Sequence, residues 1–316
     1  MGFSEMNMKN KKKILVAVND AGGAELLSAY VSKNKSKFDF VCFGSGPASS
    51  IMGRYGIKCQ AAPEDRVRIG KIMRQHRDAF LVLTGTGWMT YIERDFIKEA
   101  KRNGIKTVSF LDHWVNYRER FGYPKSGWKN NLPEEIWVAD ETAFKMAKRL
   151  FPRITIAKIP NYYLLDIVEE YKRLNARSDG STIVFMSEPI ESGKVRCSEF
   201  RILQDLLATI SVLKRPLKVI IRFHPSEKAD KYDDIIQKYA HAIVISKSTH
   251  KNIIDDVVRA DFILGMTSMS LIVGLACHKR TVSYMPGAGH ACALPHKDLI
   301  KIKTPVALRH IIKTLA

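Results

Sequence analysis

The stretch Val219-Ile-Ile-Arg-Phe-His-Pro-Ser-Glu227 sets a guanidinium in an otherwise apolar, β-branched run and an imidazole two residues later. An unpaired charge inside such a strand costs several kcal/mol, so Arg222 must reach a partner near the strand tip. His224 lies on the same face as Arg222, because side chains alternate along a strand. Pro225 then fixes the exit of the loop and leaves Ser226 and Glu227 at the start of the following helical segment. A cation beside an imidazole suits a phosphate; an Arg–carboxylate pair in the core is the structural alternative. A second group, Thr267, Ser268 and Ser270, stands where another strand gives way to a helix, and hydroxyls beside free helix amides form an anion cradle. N-capping explains one of these hydroxyls, not the run. Glu188, at the end of the strand 182–186, could accept from ribose or sugar hydroxyls, or Ser187 and Glu191 could simply cap the next helix.

The first half of the chain carries a different chemistry. Asp112-His113-Trp114 brings a carboxylate, an imidazole and an indole to the end of the apolar run Val108-Ser-Phe-Leu111. Asp112 or His113 there could deprotonate an acceptor hydroxyl, the step that transfer to an alcohol requires. The capping of a turn by Asp112 is the structural alternative. Asn19-Asp-Ala-Gly-Gly-Ala24 follows the first strand, where Gly22 and Gly23 allow close backbone approach and the next helix offers its amides. Gly85-Thr-Gly-Trp88 adds an aromatic, Trp88, that could stack on a sugar or base. Neither glycine group has the full dinucleotide-binding spacing, and Gly44-Ser-Gly46 reads as a turn. The segment 116–131, with Tyr117, Arg118, Arg120, Tyr123 and Lys125, is rich enough in aromatic and basic residues to read as a substrate lid or membrane-facing flap.

These groups share a position: each follows a short β-branched run and precedes a helix-period segment. That alternation predicts parallel sheets covered on both faces, with ligands outside the carboxyl ends of the strands. The first set of strands is expected at 14–18, 38–43, 80–84, 107–111, 135–138 and 154–159, and the second at 182–186, 218–223, 242–246, 262–264 and 281–284. A polar, Gly-containing stretch after 174 separates the sets. The expected architecture is α/β, two tandem Rossmann-like doubly wound sheets with an interdomain cleft. Residues 1–177 would form an acceptor-binding domain and 178–316 a nucleotide-donor-binding domain.

Composition narrows the classes. The chain has 316 residues, of which 46% are hydrophobic and 26% charged, a globular balance that argues against disorder or coiled coil. Its five cysteines form no CxxC pair, which argues against a zinc site or a disulfide framework. The apolar run after the N-terminal lysines is too short for a signal-peptide core, so cytoplasm is the expected compartment. The net charge of +19 is dispersed along helix faces. It suits an anionic substrate or docking at the inner face of an anionic membrane; nucleic acid is disfavoured because no recognition motif accompanies it.

The tandem halves, together with Arg222-Phe-His-Pro-Ser and Thr267-Ser268-Met-Ser270, resemble the glycosyltransferase-B fold. In particular they are similar to bacterial enzymes with a His-Pro motif followed by a serine motif: sialyltransferases, capsule Kdo transferases and CDP-glycerol glycerophosphotransferases. The resemblance implies that His224 and Ser268 or Ser270 hold the phosphate of a cytidine-type nucleotide, with Pro225 and Ser226 completing the motif. The acidic Gly-containing motif that supplies the sialyltransferase base is missing, which leaves Asp112 or Asp20 for that role. The expectation is a metal-independent glycosyltransferase with no cofactor. Its nucleotide sugar would be held by Arg222, His224, Thr267, Ser268 and Ser270, and its glycan or lipid-linked acceptor, in surface polysaccharide synthesis, presented to Asp112 with Trp114 alongside. A nucleotide-sugar 2-epimerase or hydrolase of the same fold is the second reading. A non-catalytic polyanion-binding protein is the third.

Overall fold

A computed structural model describes residues 11–87, 90–174, 180–189, 198–213, 216–289 and 292–314. The chain forms two compact units, Met1–Tyr163 and Leu164–Ala316. The division falls in the first turn of a helix and not near 177/178. The physical reason is that the rest of this helix bonds within the second unit: Glu170 accepts from Asn252 Nδ2 (3.3 and 3.5 Å), and Lys279 stands over the Tyr171 ring.

In the first unit the strands are β1 (Lys12–Val18), β2 (Phe38–Gly44), β3 (Cys59–Ala61), β4 (Leu81–Thr84), β5 (Lys106–Phe110), β6 (Glu135–Val138) and β7 (Thr155–Lys158). The helices are α1 (Ala21–Asn34), α2 (Ala48–Arg54), α3 (Arg66–Gln75), α4 (Ile92–Arg102) and α5 (Glu141–Leu150); α6 (Tyr162–Leu174) crosses the division. The sheet is parallel, in the order β3-β2-β1-β4-β5-β6-β7. Alternation along β1 divides its core in two. Ile14, Val16 and Val18 pack with Leu26, Leu27 and Met52 of α1 and α2, whereas Leu15 and Ala17 pack with Ile69, Met73 and Phe96 of α3 and α4. Asp20, Asp65 and Asp140 cap α1, α3 and α5 through their side chains.

The second unit has β8 (Thr182–Met186), β9 (Lys218–Arg222), β10 (Val244–Lys247), β11 (Phe262–Gly265), β12 (Arg280–Tyr284) and β13 (Ile300–Ile302), in the order β10-β9-β8-β11-β12-β13. Its remaining helices are α7 (Glu199–Ser211), α8 (Asp233–Tyr239), α9 (Ile254–Arg259), α10 (Met269–Ala276) and α11 (Pro305–Lys313). Numbered within each unit, the sheets run 3-2-1-4-5-6-7 and 3-2-1-4-5-6, so each has one point where strand order reverses: β1/β4 in the first unit and β8/β11 in the second. Gly274 lets α10 lie close to the second sheet, since a Cβ there would stand 2.6 Å from Ile263 Cδ1 and 2.8 Å from Thr281 Oγ1.

The edge strands β3 and β13 were not expected from the sequence. The segment expected as a lid, 116–131, is instead folded on its own core. Tyr117 and Phe121 pack with Leu111, Ile136, Val138 and Phe151, and 3-10 turns form at Glu119–Phe121 and Trp128–Asn131.

Candidate functional site

In the second unit, the tip of β8 holds the loops that follow its two neighbours in the sheet. Ser187 Oγ donates to Glu227 Oε1 (2.9 Å) while accepting from Tyr232 OH (2.5 Å). Glu227, its side chain 3% exposed, also accepts from the His224 backbone N–H (2.8 Å) and from Lys231 Nζ (2.5 Å). Lys231 in turn reaches Glu199. The His-Pro-Ser-Glu turn is therefore fixed from behind by its own glutamate. The next residue, Glu188, accepts from the Thr267 backbone N–H (2.9 Å), Thr267 Oγ1 (2.5 Å) and the Ser268 amide. Adjacent residues of one strand tip thus position both candidate nucleotide loops.

His224 has a defined tautomer. The Ser226 backbone N–H can only donate, and it donates to Nδ1 (3.2 Å), as does the Ser226 hydroxyl (2.7 Å). The ring proton is therefore on Nε2, which has no partner among the described residues. Burial pushes the His224 pKa down from its ordinary value, against Glu227 and with the charge of Lys231, so the ring is a neutral N–H donor near pH 7.

Several second-unit residues are placed differently from expectation. Arg222 does not aim at an open phosphate position. It pairs with the fully buried Asp256 (2.6 Å) and donates to the carbonyls of His250, Lys251 and Asn252, fastening the loop after β10. Glu188 is not open to a ribose. Its carboxylate already occupies the amides of the cradle, and burial raises its pKa despite those bonds. Ser268 caps α10: its hydroxyl accepts from the Ser270 N–H (3.2 Å) and the Ser270 hydroxyl (2.9 Å). Pro225 and Ser226 lie exposed in the turn.

In the first unit the strand tips form an acidic cluster around one guanidinium. Asp112 Oδ1 pairs with Arg120 Nη1 at 2.5 Å, both side chains 8% exposed. Arg120 also donates to Thr86 O, Thr86 Oγ1 and Val115 O, tying the loop after β5 to the tip of β4. Asp112 Oδ1 also accepts from Thr86 Oγ1 (3.3 Å), so this carboxylate is engaged from two sides. Gly22 brings α1 against this pair, because a Cβ there would collide with Asp112 Oδ2.

Asp20 is the other carboxylate that the sequence offered for the catalytic base. It caps α1 through Gly23 N (2.9 Å), and its pKa is raised to about 7 by burial first and the Asp112 charge second, with Arg120 and the Gly23 amide opposing. Glu93, in the first turn of α4, accepts from Asn19 N (2.8 Å) and Thr90 Oγ1 (3.4 Å). Burial, with Asp20 second, pushes it up to about 8. Two carboxyl groups able to exchange protons near neutral pH meet at the β1/β4 reversal point. His113 Nδ1 accepts from the Trp114 N–H, and the Trp114 indole donates to the capping carboxylate Asp140 (3.0 and 3.2 Å), so both serve the loop's own geometry. Trp88 lies outside the described residues. Among the described residues no group of three or more His, Cys, Asp or Glu side chains is arranged to hold a metal ion, and no helix is long and apolar enough to cross a membrane.

Sequence reasoning missed Glu93, Arg120, Asp256 and the anchoring role of Glu227. Glu227 had a local signal, its i+3 spacing from His224. Acidic residues opening α4 read as ordinary complements to a helix dipole and gave none.

No protein-family model matches the sequence, and no curated protein matches it. Solved structures do resemble it. MnaA from S. aureus, solved with UDP, superposes with a TM-score of 0.66 at 13% identity over 96% of this chain and 88% of that one. The UDP-GlcNAc 2-epimerase of Neisseria meningitidis, bound to UDP-GlcNAc, gives 0.63 at 12% identity over 86% and 82%. A UDP-glucosyltransferase from Polygonum tinctorium gives 0.56 at 11% identity over 89% and 81%. At these identities the likeness establishes the fold: two parallel-sheet α/β units of the glycosyltransferase-B type.

Proposed function

We propose that the protein is an enzyme acting on a pyrimidine-nucleotide-activated sugar, and that it transfers the sugar to a hydroxyl of a glycan or lipid-linked acceptor in surface polysaccharide synthesis. The observation that carries this reading is the pairing of Ser187 and Glu188, which hold the His224 turn and the N-terminus of α10 at one end of one sheet. In this reading the neutral Nε2–H of His224 donates to a nucleotide phosphate oxygen, and the N-terminus of α10 offsets the charge that grows on the departing phosphate. Asp20, poised near neutrality, takes the proton of the acceptor hydroxyl. A location at the inner face of the membrane agrees with the net charge of +19. The resemblance at the His-Pro and serine motifs favours cytidine nucleotides, whereas two of the solved neighbours named above, MnaA and the Neisseria meningitidis 2-epimerase, were solved with UDP and UDP-GlcNAc.

Thermal shift with CMP, CDP, UDP, GDP and dTDP on wild type and His224→Ala tests the nucleotide site. A cytidine or uridine nucleotide raises the wild-type Tm, and the variant loses about 1.5–3 kcal/mol of binding, or about 10- to 100-fold in Kd. No stabilisation by any nucleotide at millimolar concentration sinks the reading.

The cluster in the first unit also favours a second reaction. Glu93 gives Asp20 a neighbouring carboxyl of similar proton affinity, the kind of acid–base pair that inversion at a sugar carbon requires. A 2-epimerase or hydrolase would consume the nucleotide sugar with no acceptor present, whereas the transferase would release nucleotide only on adding one.

A further inference from the structure

Beside the acidic cluster, the first unit carries a cavity of about 310 Å³ whose walls include Trp114, Asn116, Arg118, Glu119, Tyr123 and Met146. Its construction is specific. Trp114 is held by the Asp140 carboxylate. Tyr123, 42% exposed, meets the Trp128 ring edge-on at 5.7 Å, and the Arg118 guanidinium stands 6.0 Å from the Tyr123 centroid. Arg118 and Glu119 make no ion pair among the described residues. Asn116 holds a left-handed backbone (φ 57), a conformation that Asn tolerates better than most residues and that concentrates at functional sites. Tyr117, 2% exposed, contributes to the same wall, and its hydroxyl has no hydrogen-bond partner among the described residues.

Two aromatic faces and an aliphatic floor, with an amide, a guanidinium and a carboxylate around them, form a site that packs the apolar face of a ring and bonds its hydroxyls. A volume near the lower bound for small-molecule sites, about 300 Å³, admits a single sugar unit, not a chain. The rim adds a sign. Lys129, beside the Trp128 that packs on Tyr123, and Arg149, beside the lining residue Leu150, are exposed, and they add to the positive charge of Arg118 in the wall. Charge of this sign draws polyanions.

We propose that this cavity binds one sugar ring of an acidic polysaccharide, the ring packing against Trp114 and Tyr123 and bonding to Arg118 and Glu119 while neighbouring anionic units lie along the basic rim. The proposal rests on the transferase reading for calling that polysaccharide the acceptor. Arg120 would act as its positioning residue, because it ties the cavity wall to Asp112 and the strand tips.

The test is saturation-transfer NMR on the full chain with oligosialic acid and hyaluronan tetrasaccharide, against neutral cellotetraose and chitotetraose. Wild type should bind at least one acidic oligosaccharide, more weakly as salt rises, and neither neutral one comparably. Arg118→Ala and Tyr123→Ala should each weaken binding about tenfold or more with the Tm unchanged. Failure of both acidic probes, equal binding of neutral ones, or wild-type binding by both variants overturns the proposal. So does a result in which the variants lose affinity for phosphatidylglycerol vesicles and not for saccharide. The nucleotide thermal shift, run on the same samples, separates the two readings. Saccharide binding without a nucleotide shift defeats the proposed function and leaves the cavity site standing; a nucleotide shift without saccharide binding does the reverse.

Discussion

The two strand-order reversal points use carboxyl groups in opposite ways. In the second unit Glu188, Glu227 and Asp256 are each bound by several donors and hold their loops in place, which leaves the His224 Nε2–H without a partner among the described residues. In the first unit Asp112 is bound by Arg120 and Thr86, and Glu93 by the Asn19 amide and Thr90, while Asp20 accepts from the Gly23 amide. Burial, with the Asp112 charge second for Asp20 and the Asp20 charge second for Glu93, nonetheless raises these two to about 7 and 8. The carboxylates of the second unit are therefore tied to loop donors, whereas two in the first unit hold their protons to near-neutral pH. The same order over six strands carries the two chemistries, so the difference lies in which residue types follow the strands and how completely their partners satisfy them.

The sharpest way to break this contrast is Asp20→Asn. Asn keeps the helix cap, so the Tm should change little. Turnover of a nucleotide sugar should fall by about 10²- to 10⁴-fold, with the nucleotide thermal shift retained, if proton handling belongs to the first unit. Turnover within a few-fold of wild type would remove Asp20 from the chemistry. Asp256→Ala probes the scaffold side. It removes the carboxylate partner of Arg222, which is 18% exposed and keeps three carbonyl acceptors, and loss of one charged hydrogen bond costs about 1.5–3 kcal/mol, readable as a shifted urea midpoint. A shift below about 1 kcal/mol would mean that the loop after β10 does not depend on the pair.

Glu93→Gln sharpens the contrast through pH. The folded state keeps a proton on Glu93 up to about pH 8, whereas the unfolded chain releases it near the ordinary 4.5. The raised value therefore stabilises the fold below that ordinary pKa, and its contribution is lost as pH rises toward 8. Wild type should lose stability relative to Glu93→Gln between pH 5 and 8.5, by an amount on the order of 1–3 kcal/mol. Parallel Tm profiles for the two proteins over that range would show that Glu93 is ionised in the fold.

How much of this was legible in the sequence follows the range of the interaction involved. The β-branched runs, the capping Asp and Ser residues and the Arg222–His224 spacing are local, and the architecture and most strands follow from them. The edge strands β3 and β13, three residues each, carry Gln60 and Lys301 and have too little apolar alternation to register. The partners were hidden because they are distant in the chain: Glu188 meets Thr267 across 79 residues, and Arg222 meets Asp256 across 34. Arg222 illustrates the limit well. Its need for a partner could be inferred, but a phosphate and a carboxylate satisfy it equally, and nothing local discriminates between them.

The smallest expected effect concerns the serine motif. Ser270 donates its hydroxyl inward to Ser268 Oγ, whose own lone pairs cap α10, so the hydroxyl run that suggested a phosphate cradle is largely engaged with itself. Ser270→Ala removes one neutral hydrogen bond, about 0.5–1.5 kcal/mol, and should lower the Tm slightly. Nucleotide affinity should change less than threefold, because the donors assigned to the phosphate are the His224 ring and the helix terminus. A tenfold loss of nucleotide affinity with an unchanged Tm would show instead that the Ser270 hydroxyl turns outward to the ligand. The second unit would then resemble the first in keeping a side chain uncommitted until its substrate arrives.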